Sequence, residues 1–120
     1  MSKDLYQAHD YFQMDELLTK EHKLIRSSSR EWVKKEISPI IEECCQKSEF
    51  PIQIINGLGQ IGAFGSYIPS KYGGHGLDYI SYGLIMQELE RGDSGIRSTA
   101  SVQSSLVMFP IFKYGTDIQR

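Results

Sequence analysis

The sequence predicts an all-α domain, a bundle of four or five helices. Three observations point there. Apolar residues recur at helical spacing in several segments, no alternating period-two run of useful length is present, and residues that start or stop helices punctuate the segments. The chain has 120 residues, enough for one domain with its own core.

Residues 1–14 show no clear periodicity and read as a loosely held N-terminal arm, so the domain is expected to occupy 15–120. Thr19 is placed to cap the first helix, with Glu21 in its first turn, where an acid is favourable. Leu18, Ile25, Trp32, Val33, Ile37, Ile40 and Ile41 then recur near helical spacing, and Pro39 should kink or split that helix because it removes one backbone donor. A second helix is expected from Pro51 to Ile61, with Ile52, Ile55, Leu58 and Ile61 facing inward. Ala63 to Leu77 carries four glycines and Pro69 and reads as an irregular connection. A third helix is expected from about Asp78 to Arg91, burying Tyr79, Tyr82, Ile85, Met86 and Leu89. The fourth covers about Ser94 to Tyr114 and should bend at Pro110, and Thr116 is placed to cap a fifth.

Bulk properties exclude several classes. A formal charge of −2 and a pI near 5.9 give no general basic field for nucleic acid. No apolar run approaches the ~20 residues of a membrane-spanning helix. The N-terminus, Met-Ser-Lys-Asp-Leu-Tyr, has neither an apolar signal core nor an Arg-rich amphipathic character, which points to a cytoplasmic protein. Adjacent Cys44 and Cys45 match no zinc or Cys-x-x-Cys spacing, and His9, His22 and His75 are scattered, so no metal site is expected.

Gly57-Leu58-Gly59-Gln60-Ile61-Gly62 matches the pattern G-x-G-x-x-G of dinucleotide-binding loops. That motif needs a helix opening among its glycines so that the helix N-terminus faces a pyrophosphate. Gly65 and Pro69 follow too soon to leave room for one, so the glycines are expected to serve close packing and helix termination. Tyr72-Gly73-Gly74-His75-Gly76 lacks the Gly-Lys-Ser/Thr of a P-loop and reads as a turn.

The most informative stretch is Gln87 to Gln103. A helix ends there in a Gly-punctuated break, and the next begins at once. Arg97 falls in the first turn of that second helix, against the positive end of its dipole, which disfavours it by up to about 1 kcal/mol. Something should compensate it. Glu90 and Asp93 are near in sequence, and a bound anion would serve equally, because a helix N-terminus presents unpaired N–H donors. The residues alone leave both readings open: an ion-pair member or an anion receptor. Asp93 and Ser94 themselves read as helix caps.

The wider stretch resembles a known family. Tyr72-Gly73-Gly74-His75-Gly76-Leu77-Asp78-Tyr79, Met86-Gln87-Glu88-Leu89-Glu90-Arg91, Asp93-Ser94-Gly95-Ile96-Arg97-Ser98, Ser101-Val102-Gln103-Ser104-Ser105 and Tyr114-Gly115-Thr116 look like the N-terminal helical domain of an acyl-CoA dehydrogenase. The resemblance covers roughly Leu17 to Arg120 and is greatest to the glutaryl-CoA branch, through the Arg97-Ser98 pair and the Ser-Val-Gln-Ser-Ser run. It implies a flavin enzyme, with FAD bound mainly by a β domain and a C-terminal helical domain absent from these residues. It also implies that a glutamate there removes the proton alpha to the thioester while the beta hydrogen leaves as hydride. In the glutaryl branch carbon dioxide is then lost, giving crotonyl-CoA. No catalytic residue is therefore assigned here, and the 120 residues alone are expected to be inactive. Arg97 is implied as receptor for the distal carboxylate of glutaryl-CoA, Ser98 as a further donor, and Glu90 as the acid that orients Arg97. Ser101 to Ser105 and Tyr79 are candidates for the acyl cavity or for packing. An electron-transfer flavoprotein is the implied partner and a homotetramer the implied assembly. The alternative is a stand-alone or vestigial helical module that binds a partner through its apolar faces.

Overall fold

Short polar side chains at helix starts organise the chain. In the computed structural model, which describes residue 7 and residues 9–120, Asp10 accepts hydrogen bonds from the backbone N–H groups of Met14 and Asp15 and so opens the 3-10 turn Met14–Leu17. The arm expected over 1–14 falls partly on residues 1–6 and 8, outside the described residues.

Helix α1, Lys20–Trp32, begins at Thr19 as its sequence predicts. The Thr19 hydroxyl accepts from the His22 N–H, and His22 Nδ1 accepts from the Thr19 N–H at 3.3 Å. An imidazole thus takes the place usually held by glutamate in a capping box. Because Nδ1 accepts, Nε2 carries the proton and donates to Asp78 at 2.8 Å. Asp78 in turn accepts from the Ser81 N–H and caps α4, Tyr79–Gly92. One buried histidine therefore ties together the caps of two helices.

The α1 rod runs on through a wider π turn, Val33–Ile37, and stops at Pro39; α2, Ile41–Lys47, restarts beyond it. Helix α3, Ile55–Gln60, is preceded by a 3-10 turn, Ile52–Ile54. Helix α5, Ser94–Ser101, continues through a π segment, Val102–Met108, into α6, Phe109–Tyr114, with Pro110 near the start of α6. The wider backbone turn lies just before this proline, where a regular helix would lack a donor. Thr116 and Gln119 cap one another reciprocally over a single turn. Five helical rods (20–37, 41–47, 55–60, 79–92 and 94–114) and no strand are present among the described residues.

Two expectations of burial fail. Ile52 is 74% exposed and Tyr79 67% exposed, although both were expected to face inward. Positions three apart drift by about 60° per step around an α-helix, so 79, 82 and 85 of α4 cannot stay on one face, while Ile52 lies outside α3, at the start of the 3-10 turn that precedes it. The buried face of α4 is instead Ser81, Ile85, Glu88 and Leu89, and the buried residues of the second segment are Pro51, Ile54 and Leu58. With Val33, Ile37, Ala63, Ile96 and Ala100, the residues Ile54, Leu58, Ile85 and Leu89 form the core.

Glu88 is wholly buried in that stripe. Arg30 of α1 holds it with two hydrogen bonds, Nε to Oε2 at 2.9 Å and Nη2 to Oε1 at 2.8 Å. The Gly-x-Gly-x-x-Gly run contains no phosphate cradle. Gly57 and Gly59 lie inside α3, and Gly57 is required because the Trp32 ring lies 2.7 Å from where its Cβ would be. Gly62, at φ +78°, ends the helix with the Ala63 N–H on the Leu58 carbonyl.

The Asp78 carboxyl is held down to about 2, chiefly by the Ser81 backbone N–H and then by His22. A depressed carboxylate stabilises the fold above its unfolded pKa of about 4 and loses that contribution as pH falls through the folded value. Asp78→Ala should cost about 1–2 kcal/mol at neutral pH. The gap between variant and parent in urea unfolding should close between about pH 4 and pH 2; a gap constant over that range would refute the capping account.

Candidate functional site

A single residue separates α4 from α5. Asp93 is extended, its N–H donates to the Leu89 carbonyl, and its Oδ1 accepts from the Ile96 N–H. It therefore closes one helix and opens the next. The resulting corner brings Glu90, in the last turn of α4, against Arg97, in the first turn of α5, with Nε 2.5 Å from Oε2.

Each partner has a second anchor. The Ser94 hydroxyl donates to Glu90 Oε1 at 3.2 Å. Arg97 Nη1 donates to the Ser101 hydroxyl at 3.3 Å, and that hydroxyl donates to the Ser98 carbonyl. Arg97 Nη2 has no hydrogen-bond partner among the described residues. The guanidinium is thus held at Nε and at Nη1; one Nη2 N–H lies beside Nε–H on the edge that faces Glu90, and the other faces the end of the group with Nη1. The Arg97 hydrogen bond, with a smaller contribution from Ser94, holds the Glu90 carboxyl below the usual carboxylate range.

The structure joins Arg97 to Glu90 but places Ser98 elsewhere. One position further along the helix turns about 100°. Ser98 lines a separate groove of about 770 Å³ between α3 and α5, with Ile55, Phe64, Thr99, Val102 and Met108. Its carbonyl, through Ser101, is its link to Arg97. The i, i+4 spacing of Arg97 and Ser101 was a signal for this contact, as was the same spacing of Glu90 and Ser94.

The other candidates for the cavity have packing partners. Ser104 is buried, donates to the Ala63 carbonyl and accepts from the Gly65 N–H, so it fastens the π segment to the loop after α3. Tyr82 and Ser105 join through their hydroxyls at 3.1 Å. Tyr67 lies with its ring centroid 5.1 Å from those of both Tyr79 and Tyr82, and burial pushes its phenol up. Cys44 and Cys45 are free thiols on α2. No helix is long and apolar enough to cross a membrane among the described residues.

Comparison with known proteins places this corner in a family. Residues 19–120 match the acyl-CoA dehydrogenase N-terminal domain. A probable acyl-CoA dehydrogenase of Bacillus subtilis (strain 168) is 38% identical over 105 residues, covering 86% of this chain and 27% of that protein. The mitochondrial short-chain specific acyl-CoA dehydrogenase of Bos taurus is 32% identical over 112 residues, covering 93% of this chain and 27% of its own. The crystal structure of a glutaryl-CoA dehydrogenase from Mycobacterium smegmatis in complex with FADH2 superposes with a TM-score of 0.86 at 37% identity, over 90% of this chain and 28% of that one. The chain belongs to the acyl-CoA dehydrogenase family, and residues 19–120 are its N-terminal helical domain. It spans little more than a quarter of the length of these relatives.

The Glu90–Arg97 pair is partly exposed, with side chains 48% and 33% accessible, and such pairs contribute little to stability. Arg97→Met should therefore move the thermal unfolding midpoint by no more than roughly 3 °C. A larger loss would identify the pair as a brace of the helix corner.

Proposed function

We propose that this chain is the substrate-binding N-terminal part of a flavin-dependent acyl-CoA dehydrogenase that oxidises an acyl thioester carrying a second carboxylate. Glutaryl-CoA is the proposed substrate, with oxidative decarboxylation to crotonyl-CoA. The observation that carries this reading is Arg97: a guanidinium steadied by Glu90 and Ser101, with Nη2 donors left for an anion. A planar guanidinium can hold a carboxylate with two parallel bonds and fix its direction. Glu90 orients that group, and Ser98, on the neighbouring groove, is proposed as a further donor. The high structural similarity to a glutaryl-CoA dehydrogenase supports the same choice.

Flavin adenine dinucleotide is the proposed cofactor and would accept the beta hydrogen as hydride. Gly57, Gly59 and Gly62 do not fit its diphosphate, since they pack and end a helix. FAD is accordingly proposed to be held mainly by parts of the enzyme other than these residues. An electron-transfer flavoprotein as acceptor, a homotetrameric assembly, a cytoplasmic location and a domain starting near residue 15 complete the proposal. The competing reading, an interaction module, draws on the exposed Leu106, Ile111 and Tyr114 of the last rod.

Arg97→Met in the enzyme that carries this domain separates these readings. A substrate carboxylate left without its cation stays unpaired or brings water, so the kcat/KM ratio of glutaryl-CoA to butyryl-CoA should fall on the order of 10², or about 2.7 kcal/mol. Arg97→Lys should be intermediate, keeping charge but losing the fork. A parallel fall for both substrates would exclude Arg97 as the carboxylate receptor.

A further inference from the structure

We propose that Glu90 sets how strongly Arg97 can hold a second carboxylate, and that Glu90 takes up a proton when a dicarboxylic acyl group binds. The inference rests on the proposed role of Arg97 as carboxylate receptor and adds a pH-dependent specificity to it.

The geometry supplies the reason. Arg97 carries one positive charge, and Glu90 already balances it through Nε. The donors left to a ligand are at the end of the guanidinium, on Nη2 and the remainder of Nη1. A carboxylate there would lie on the order of 5 Å from that of Glu90, because both contact one planar guanidinium. Two carboxylates at such a distance disfavour each other's charged form, and the pair gains a proton more readily than either alone.

Other charged groups nearby are engaged elsewhere. Arg91, the next residue on α4, faces Glu88, which Arg30 of α1 also holds. Asp93, at the corner, caps the Ile96 N–H. From α5 the groups facing Glu90 are Arg97 and the Ser94 hydroxyl. Ser94 now donates to Glu90 Oε1. A hydroxyl can also accept, so it can turn to receive the proton of a neutral Glu90. The proton comes from solvent, to which the half-exposed Glu90 side chain has access. No other bond is made or broken.

The test is the kcat/KM ratio of glutaryl-CoA to butyryl-CoA in the flavin-loaded enzyme from about pH 5.5 to about pH 8, above the range where the substrate's own carboxyl titrates. Dividing by butyryl-CoA cancels the titration of groups common to both reactions. The ratio should fall about tenfold from the acid to the alkaline end in the parent enzyme. Glu90→Gln should raise the ratio at neutral pH and flatten its pH dependence. A ratio independent of pH in the parent, or a Glu90→Gln profile parallel to it, overturns the inference. Arg97→Met in the same assay tells the two failures apart. If it collapses the ratio while the parent profile is flat, only the role of Glu90 fails; if it leaves the ratio unchanged, the carboxylate receptor fails as well.

Discussion

The domain is organised around a buried carboxylate. Glu88 lies with no exposure on the inner face of α4, and the two-pronged bond from Arg30 fixes α1 against α4 in register and in rotation. Removing one partner of such a pair leaves an uncompensated buried charge, a loss of about 3–5 kcal/mol. An apolar residue would fill the space but would not dictate which turn of α1 meets which turn of α4. His22 does the same at the other end of the contact, joining the caps of both helices.

With α4 held on one side, its C-terminus becomes a fixed platform. Gly92 allows close approach, since a Cβ there would meet Val33 Cγ1 at 2.6 Å. Asp93 then redirects the chain within one residue, and α5 departs with Ile96 and Ala100 in the core. Those constraints place Arg97 on the outer side of the corner, where an anion can reach it. The corner is thus built by packing on one face of each helix and carries Arg97 and Glu90 on the other. Its Arg97 sits at an unfavourable dipole end, and Glu90 offsets that cost without closing the fork.

Much of this was readable from residue chemistry. Thr19, Asp93 and Pro39 act as the sequence says because each effect is local: a short oxygen beside orphan N–H groups, or a missing donor. Arg97 and Glu90 were legible as a pair because only a break separates them. Glu88 was not, because a charged residue normally marks the solvent face and its partner lies 58 residues away. Gly57 was obscured by its match to a nucleotide motif, whereas its cause is the Trp32 ring. Ser101 illustrates another limit: it meets Arg97 through i, i+4 spacing, a contact readable only once the helix start is fixed.

The central claim is that the open edge of Arg97 receives a carboxylate. A crystal structure of the flavin-loaded enzyme with a glutaryl thioester tests it most directly. The account predicts the distal carboxylate on Arg97 Nη2 at about 2.7–2.9 Å, with Glu90 still at Nε. A carboxylate bound elsewhere, with Arg97 engaged by Glu90 and Ser101 alone, would contradict it.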